Sequence, residues 1–289
     1  MPELPELQAH AERLTRDYAG RVLEGFRPIA FTALKTVAPP PEQAVGHALD
    51  LVGRRGKYLL LGFGATTFVV HLMQGGRLRP DDKQAPKPRG GLARWRFDEV
   101  DDGPPPALLL TEAGTEKRAG VWVRDGSPSD PASLEGQEPL VGLGPDADQV
   151  DEAELAAICR AHSMRLHGML RDQGALAGIG RRLANEVCHR ARLSPFANAS
   201  KLADDEVGRL AEAITSCIAE SLAYERGRDD MSASKERPGE VHHRTGDPCP
   251  VCGDVVREVT YTRYTVNYCA TCQTAGKVLA DNTTSKFLK

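Results

Sequence analysis

The sequence predicts an α+β protein of several domains, with strands first, helices next and a small cysteine-rich module near the end. Three observations support this order. Short apolar runs broken by glycine fill the first part, a helical periodicity begins at about Asp148, and four cysteines lie between Cys249 and Cys272. At 289 residues the chain is long enough for about two domains and a sizeable core.

The composition is that of an ordinary globular protein. Hydrophobic residues make up 40% and charged residues 27%, and the net charge of −3 does not indicate a nucleic-acid binder. A locally basic face is still compatible with this balance. The chain starts with acids where a signal peptide is basic, and no apolar stretch is long enough to span a bilayer. We therefore predict a cytoplasmic protein without membrane contact, whose cysteines are reduced.

The first part is predicted to hold one helix followed by closely spaced strands. Residues 7–20, LQAHAERLTRDYAG, have the periodicity of an amphipathic helix. The spacing of the strands indicates a β-sandwich or a barrel-like domain. The predicted strand regions are ALDLVGRRGKYLLLGF, TTFVVHLMQGGRLRP, ARWRFDEV, PALLLTEAG and AGVWVRD. Residues 126–139, GSPSDPASLEGQEP, have the composition of a linker.

The second part is predicted to be helical as far as about residue 228. Cys159, Cys188 and Cys217 fall within its apolar pattern, and we expect them to be core residues. The helical segments are DEAELAAICRAH, MRLHGMLRDQ, RRLANEVCHRARL and DDEVGRLAEAITSCIAESLAYERGR.

The four clustered cysteines have the spacing of a metal site. Cys249-Pro-Val-Cys252 and Cys269-Ala-Thr-Cys272 are two CxxC pairs with sixteen residues between them. Each CxxC turn brings two thiolates to one side of a tetrahedral ion, and the intervening segment returns as a hairpin. We predict one structural zinc ion with no open position for catalysis. The alternative is four unrelated cysteines.

A glycine-rich turn lies between two helical segments in residues 170–187. The pair Gly178 and Gly180 allows a tight turn, and the helix after it points its free N–H groups outward, which suits a phosphate. Between Arg160 and Arg192 there are seven arginines, against only two acidic residues. This local charge is what binding to a DNA backbone needs. The alternative is a helical hairpin with a solvated basic face.

The chain opens with MPELPEL, an arrangement that neither a helix cap nor a strand pattern requires. Removal of the initiator methionine leaves Pro2 with a secondary amine. An α-amino group titrates near neutral pH, so its neutral form can attack a carbonyl-like carbon and form a Schiff base. Glu3 is placed to shuttle protons. The alternative is an ordinary terminus with a disordered end.

Four motifs together resemble the formamidopyrimidine-DNA glycosylase and endonuclease VIII family, in order and spacing along almost the whole chain. They are MPELPE at the start, GRRGKYLLL at 53–61, DQ…LAGIG at 172–180 and PCPVCG…CATCQ at the end. The resemblance implies an N-terminal β-sandwich with a flanking helix, a helix–two-turn–helix domain and a zinc finger. The domains expected are 1–130, the linker 131–147, 148–235, 236–275 and a tail at 276–289.

The resemblance also implies the activity, a bifunctional DNA glycosylase and abasic-site lyase of base excision repair. Pro2 would attack C1′ of the damaged nucleotide, and Glu3 would act as general acid and base before β,δ-elimination. Lys57 in the family's RGKY turn would hold a phosphate, and Glu6 would help organise the site. The expected partner is damaged DNA, bound by a monomer that is nucleoid-associated when on DNA.

Two departures from the family pattern bear on the substrate. Where relatives have HLGMSG, this chain has His71-Leu-Met-Gln-Gly-Gly76, so Gln74 stands where a methionine fills the space of the extruded base. Where relatives have DPRRFG with a wedging phenylalanine, Ala119 stands here, and Lys117 or Arg118 supplies the remaining probe. Weak wedging makes a paired duplex harder to open, since unstacking costs a few kcal/mol. We therefore expect a preference for bubbles, single strands or open sites.

Three further departures lie in the second half. In relatives the residue after GIG is an asparagine that binds phosphate, and Arg181 is expected to bind it here through its side chain. In the zinc hairpin the family's DNA-binding arginine stands five residues before the third cysteine, whereas Arg263 stands six residues before Cys269. Only twenty residues separate Arg228 from Cys249, so the loop that caps 8-oxoguanine in the guanine-specific branch is absent or short. These features indicate the endonuclease VIII-like branch and oxidised pyrimidines. The final tail has no predicted role.

Two other functions remain open at this point. One is a damage-binding protein on the same scaffold, either non-catalytic or specialised for abasic sites or bulky adducts. The other is a zinc-ribbon adaptor for RNA or protein, which leaves the N-terminal motif unexplained. The sequence does not fix the lesion.

Overall fold

The computed structural model describes residues 1–101, 103, 105–114, 116–232, 236–261 and 264–279. The chain forms two compact units, Met1–Gly142 and Leu143–Lys289. Within the described residues no helix has both the length and the apolar character needed to cross a membrane. The predicted boundaries at 130, 147, 235 and 275 stay predictions, since the structure divides the chain only once.

The first unit is a β-sandwich. Its two four-stranded antiparallel sheets have the strand orders β1-β6-β7-β5 and β2-β3-β4-β8. The elements are α1 (Leu4–Tyr18), β1 (Leu23–Pro28), β2 (Leu51–Arg55), β3 (Tyr58–Phe63), β4 (Thr66–His71), β5 (Gly76–Pro80), β6 (Gly91–Phe97), β7 (Ala107–Glu112) and β8 (Gly120–Asp125).

Aromatic side chains join the two sheets in the core. Phe68 of β4 lies with its ring centroid 5.0 Å from that of Phe26 and 5.7 Å from that of Trp95, both on the opposite sheet. Such contacts bury large apolar areas and favour tilted ring pairs. The sandwich is therefore confirmed over a barrel-like arrangement. The run predicted from residue 66 to residue 80 is two strands, one in each sheet, and β1 was not predicted.

The opening stretch of the chain is the first turn of α1, so the expectation that no helix cap requires it was wrong. The helix begins at Leu4 after Glu3, with Pro5 in its first turn. The Glu6 carboxylate accepts the Glu3 N–H at 3.0 Å. Proline suits this position because the first helical N–H groups have no intrahelical acceptor, and an acid there is favoured by the helix dipole. The Thr15 hydroxyl accepts a hydrogen bond from the β2 backbone, which fastens α1 to the sheet.

The second unit combines the helical bundle and the cysteine module. Cys159, Cys188 and Cys217 are buried in its core, as predicted. The elements are α2 (Glu152–Ala161), α3 (Leu166–Arg171), α4 (Arg181–Arg190), α5 (Asp204–Arg226), the antiparallel hairpin β9 (Val256–Tyr261) and β10 (Tyr264–Cys269), and α6 (Ala270–Thr274). The buried Asn185 of α4 donates to Asn267 of β10 at 3.3 Å, so the hairpin is packed on the helices.

Candidate active site and metal cluster

The start of the chain lies in a largely buried turn. Pro2 is buried behind the exposed Met1, and Glu3 and Glu6 are each 5% exposed. The bond from the Glu3 N–H to Glu6 fixes the backbone beside Pro2. The structure therefore gives Glu6 a definite position in this turn, bonded to the backbone of Glu3.

His71 links the chain terminus to Lys57. Lys57 lies in the two-residue turn between β2 and β3, where Gly56 has φ 54° and strand pairing resumes at Tyr58. Tyr58 pairs with His71, and their ring centroids are 4.7 Å apart. Burial, and then the positive charges of Lys57 and of the Met1 amine, lower the pKa of His71 to about 4. The amine, Lys57 and His71 thus lie within electrostatic range of one another, and His71 is neutral at neutral pH.

A backbone contact fixes the tautomer of that histidine. The Met73 N–H donates to His71 Nδ1 at 3.3 Å, so Nδ1 is an acceptor and the ring proton lies on Nε2. Met73 has φ 52° and is half-buried, whereas Gln74 beside it is exposed. The turn after β4 therefore presents Gln74 to solvent, close in sequence to the neutral His71.

The loop between β7 and β8 is held by a carboxylate that the sequence analysis missed. Glu112 is 4% exposed, and its Oε2 accepts the N–H groups of Arg118 at 2.6 Å and Ala119 at 2.8 Å. Lys117 folds back and donates to the Glu112 carbonyl. The sequence does not distinguish a buried acid at the end of an apolar strand from an exposed acid at the same position.

This anchoring decides which side chain of the loop protrudes. Ala119 is 1% exposed and cannot project. The Arg118 side chain is 66% exposed and pairs with Glu116 at 2.5 Å, an interaction that is worth little at such exposure. Of the two probes expected, Arg118 is the one presented to solvent.

The glycine turn of the second unit is closed by Gln173. Its side chain accepts the Gly178 N–H at 3.0 Å and donates to the Ile179 carbonyl at 2.9 Å, and Gly178 has φ 97°. Helix α4 then begins at the half-buried Arg181. The geometry matches the tight turn expected from the two glycines.

Two further arginines lie near the zinc-module hairpin and were not singled out from the sequence. The rings of Tyr261 and Tyr264 stack with centroids 4.7 Å apart, and the Arg171 guanidinium lies 4.2 Å from the Tyr264 ring centre. Arg165 donates to the Tyr261 hydroxyl at 2.6 Å. Arg263 lies outside the described residues. No sequence signal predicted that α3 would face this hairpin.

Three arginines of the second unit have uncompensated charge among the described residues: Arg165, Arg171 and Arg181. None of them forms an ion pair with a residue that the structure describes. Burial and the charges of Arg171 and Arg181 lower the pKa of the nearby His167 to about 3, so both guanidinium groups lie within electrostatic range of this buried ring. In contrast, Arg190 is bound by two carboxylates.

The four cysteines come together as predicted. Their sulfur atoms all lie within 4.8 Å of one another, with Cys252 and Cys269 at 3.4 Å and Cys249 and Cys272 at 3.9 Å. A tetrahedral zinc site with Zn–S bonds of about 2.3 Å has sulfur atoms about 3.8 Å apart. The sulfur-only donor set and its spacing therefore fit zinc.

A histidine contacts this cluster from α4. His189 is 2% exposed, and its Nε2 lies 3.3 Å from Cys249 Sγ while its Nδ1 lies 2.7 Å from a Glu240 oxygen. Such outer contacts orient metal ligands. Cys249 lies sixty positions after His189 in the chain, so only the folded structure associates this histidine with the cluster.

Comparisons with known proteins agree with this architecture. Residues 1–104 match the formamidopyrimidine-DNA glycosylase N-terminal domain, and residues 141–232 match the formamidopyrimidine-DNA glycosylase H2TH domain. A formamidopyrimidine-DNA glycosylase of Thiobacillus denitrificans is 30% identical over 284 residues, which cover 94% of this chain and 100% of that protein. An uncharacterized formamidopyrimidine-DNA glycosylase-like protein of Mycobacterium tuberculosis is 42% identical over 149 residues, which are 51% of this chain and 94% of that protein.

Solved structures of formamidopyrimidine-DNA glycosylases have the same fold as this chain. The Lactococcus lactis formamidopyrimidine-DNA glycosylase, bound to DNA containing an abasic site, superposes with a TM-score of 0.76 at 20% identity, over 94% of this chain and 99% of that one. Fold, motifs and cysteine cluster together define a DNA-repair glycosylase with a zinc-finger module. The chain belongs to the formamidopyrimidine-DNA glycosylase family. The predicted family and enzyme class are confirmed, and the comparisons do not distinguish branches within the family.

Proposed function

We propose that this protein is a bifunctional DNA glycosylase and abasic-site lyase whose nucleophile is the amine of Pro2 after removal of Met1. The observation that carries the proposal is the cluster at the start of the chain, where the amine of Met1, one residue before Pro2, and Lys57 both act on the pKa of His71. Membership of a family of DNA glycosylases supplies the reaction class. Because Pro2 directly follows Met1, the nearness of the terminus to Lys57 and the neutral His71 supports the assignment of this cluster as the active site.

The proposed chemistry is amine catalysis at the sugar. The neutral Pro2 nitrogen forms a bond to C1′ of the damaged nucleotide as the bond to the base breaks, and the base leaves with a proton. Opening of the sugar ring then gives a Schiff base, and Glu3 donates and accepts the protons of that step. The Schiff base acidifies the C2′ hydrogens, so β-elimination and then δ-elimination release the flanking phosphates.

The neighbouring residues have supporting roles in this proposal. Lys57 binds the phosphate of the damaged nucleotide, and Glu6 holds the turn that positions Pro2. His71 is neutral and carries its proton on Nε2, so it donates a hydrogen bond to the DNA without adding charge. Gln74 projects from the adjacent turn and contacts the space of the extruded base.

The second unit supplies phosphate contacts. Arg165, Arg171 and Arg181 have no carboxylate partner among the described residues, so their charge is available to a DNA backbone. Arg263 is proposed to add to them from the hairpin between β9 and β10. One zinc ion, held by the four cysteines, stabilises the module and takes no part in the chemistry.

We propose oxidised pyrimidines in single-stranded or open DNA as the substrates, and the endonuclease VIII-like branch as the affiliation. Ala119 is buried, so the loop before β8 lacks an apolar wedge for opening a paired duplex. The chain between α5 and Cys249 is short, which leaves little material to cover a purine lesion. The protein is proposed to act as a monomer.

Borohydride trapping on abasic DNA tests the nucleophile. The wild-type protein, with removal of Met1 verified by intact mass, is expected to form a covalent adduct. Pro2→Gly and a form that retains Met1 are expected to lose most of it while still binding an abasic analogue. Adduct formation unchanged by Pro2→Gly contradicts the assignment. Binding without any adduct in the wild type favours a non-catalytic damage-binding protein.

Lesion preference requires a separate panel. Single-turnover rates on oxidised pyrimidines, hydantoins, 8-oxoguanine, abasic sites and bulky adducts are compared in single-stranded, bubble and paired DNA. We expect the highest rates for oxidised pyrimidines in unpaired contexts. A strong preference for paired duplex refutes the proposal about open DNA without affecting the proposed nucleophile.

A further inference from the structure

The most exposed large apolar side chain in the described part of the chain is Phe31. It is 100% exposed in a turn after β1, closed by the hydrogen bond from the Ala33 N–H to the Ala30 carbonyl at 3.0 Å. A phenylalanine this exposed contributes nothing to the core, and both faces of its ring are accessible to a binding partner. Its surroundings indicate what that partner is.

The turn is fastened to the first residues of β8. Leu34 bridges Val121 in a parallel sense, the Lys35 N–H donates to the Val121 carbonyl at 2.8 Å, and the Val121 N–H donates to the Ala33 carbonyl at 2.8 Å. The Lys35 side chain covers Gly120, where an added Cβ would lie 2.5 Å from Lys35 Cε. Since the pairing is parallel, Phe31 lies toward the start of β8, where the Arg118 loop enters.

The same end of the sheet holds the proposed active site. Tyr58 pairs with His71, and His71 pairs with Gly120, so these residues form a row across β3, β4 and β8. The segment beginning at Ala33 lies one strand further. Two strand spacings make about 10 Å between His71 and this segment. Phe31 therefore lies within a few nucleotides of a sugar bound near His71.

The charge around Phe31 suits a nucleic acid. Residues 25–41 contain no aspartate or glutamate. Arg27 and Lys35 are exposed, and neither forms an ion pair with a described residue. A projecting aromatic ring between uncompensated cations is the combination that binds single strands, where the cations follow the backbone and the ring stacks on a base.

We propose that Phe31 is a stacking residue for an unpaired nucleobase beside the lesion. The proposal rests on the proposed glycosylase function and extends it to a second contact on the DNA. Bases in a paired duplex have both faces covered by neighbours, whereas an unpaired base offers a face to the ring. The buried Ala119 removes a wedge from the loop before β8, and Phe31 supplies an aromatic surface from the adjacent turn.

The affinity for DNA containing an uncleavable abasic analogue tests how much stacking by Phe31 contributes to binding. Oligonucleotides with a tetrahydrofuran site are used as single strand, bubble and paired duplex, and Kd is measured by fluorescence anisotropy. Base–aromatic stacking predicts that Phe31→Ala weakens binding to the single strand and bubble by about 5- to 150-fold, and that Phe31→Trp retains it. Equal affinity of Phe31→Ala and wild type overturns the proposal.

Val37 provides a matched control. It is 96% exposed in the same connection but lies beyond Thr36, whose hydroxyl accepts the Val123 N–H further along β8. Val37→Ala is expected to bind within about twofold of wild type, since a distant aliphatic side chain offers no stacking face. A loss equal to that of Phe31→Ala indicates a general apolar effect and overturns the stacking assignment. Thermal unfolding checks that both variants are folded.

Photocrosslinking gives a direct readout. An unpaired 5-iodouracil is placed opposite the tetrahydrofuran site or at either neighbouring position, and the crosslinked peptide is identified by mass spectrometry. A crosslink at Phe31 in one of these positions supports the proposal, and its absence in all of them refutes it. Borohydride trapping of the wild type is run in parallel. If the wild type forms the Phe31 crosslink but no borohydride adduct, the glycosylase mechanism alone is refuted. If it forms the adduct but no Phe31 crosslink, the stacking role alone is refuted.

Discussion

The pKa of His71 makes a quantitative prediction about stability. Its ordinary value of 6.5 falls to about 4 in the folded protein because of burial, Lys57 and the Met1 amine. Below pH 6.5 the unfolded chain binds a proton that the folded protein rejects, so stability is fully present above pH 6.5 and is lost as the pH falls to about 4. This difference in pKa between the unfolded and folded states corresponds to about 3 kcal/mol of unfolding free energy. Solvent screening of a half-buried ring reduces that contribution to about 2 kcal/mol.

The variant His71→Phe separates the contribution of this histidine to the pH dependence of stability from that of other titrating groups. His71→Phe keeps a ring against Tyr58 but cannot titrate, and it loses the acceptor for the Met73 N–H. We expect it to cost about 1 kcal/mol at pH 7, and to lose less stability than wild type between pH 6.5 and pH 4. Urea denaturation at several pH values gives both curves.

Two measurements decide whether the stated causes are correct. NMR titration of the imidazole is expected to show a pKa near 4 in the wild type and a higher value in Lys57→Gln, because one of the opposing charges is removed. An imidazole that titrates near 6.5, or a pH dependence unchanged in His71→Phe, refutes the argument. An unchanged pKa in Lys57→Gln leaves burial and the Met1 amine as the causes, and removes the evidence that Lys57 lies close to the ring.

Three other predictions concern the loop and the metal module. Glu112→Ala is expected to lose about 2–4 kcal/mol of unfolding free energy, because the N–H groups of Arg118 and Ala119 lose a charged acceptor, and Glu112→Gln to lose less; urea denaturation compares them. Cys252→Ser is expected to bind no zinc by atomic absorption, with loss of folded structure in the hairpin visible by amide exchange. His189→Phe is expected to weaken zinc binding by about 10- to 100-fold in a competition with a chelator, because the contact to the cluster is lost. Undiminished stability in the first variant, or undiminished zinc binding in the other two, contradicts the corresponding contact.

Much of the fold could be predicted because its signals are local. The alternation of the strand regions and the periodicity of the helices specify where apolar side chains lie, and the CxxC spacing specifies a metal turn. The errors are local as well. The first turn of α1 was missed because its prolines argue against a helix except at the very start, and the run from residue 66 to residue 80 concealed a change of sheet at Met73.

The candidate site was predictable only in part. Pro2, Glu3 and Lys57 were identified through motifs, although the distance between the terminus and Lys57 depends on how β2, β3 and β4 pair. Glu112 and His189 carry no motif, since each acts through a partner that the chain reaches only after folding. The sequence does not show burial either: it aligned Ala119 with the wedging phenylalanine of relatives, and only the structure shows that Ala119 is buried.

The sequence by itself determined the chemistry available to this protein: a proline and an acid directly after Met1, a lysine in a tight turn, an arginine-rich helical hairpin and four cysteines at metal spacing. Those properties depend on residue type and short spacing. Tertiary structure alone decided which charges act on His71, which arginines have no carboxylate partner among the described residues, and that Phe31 lies at the His71 end of the sheet. These depend on strand pairing and burial, which join residues far apart in the chain.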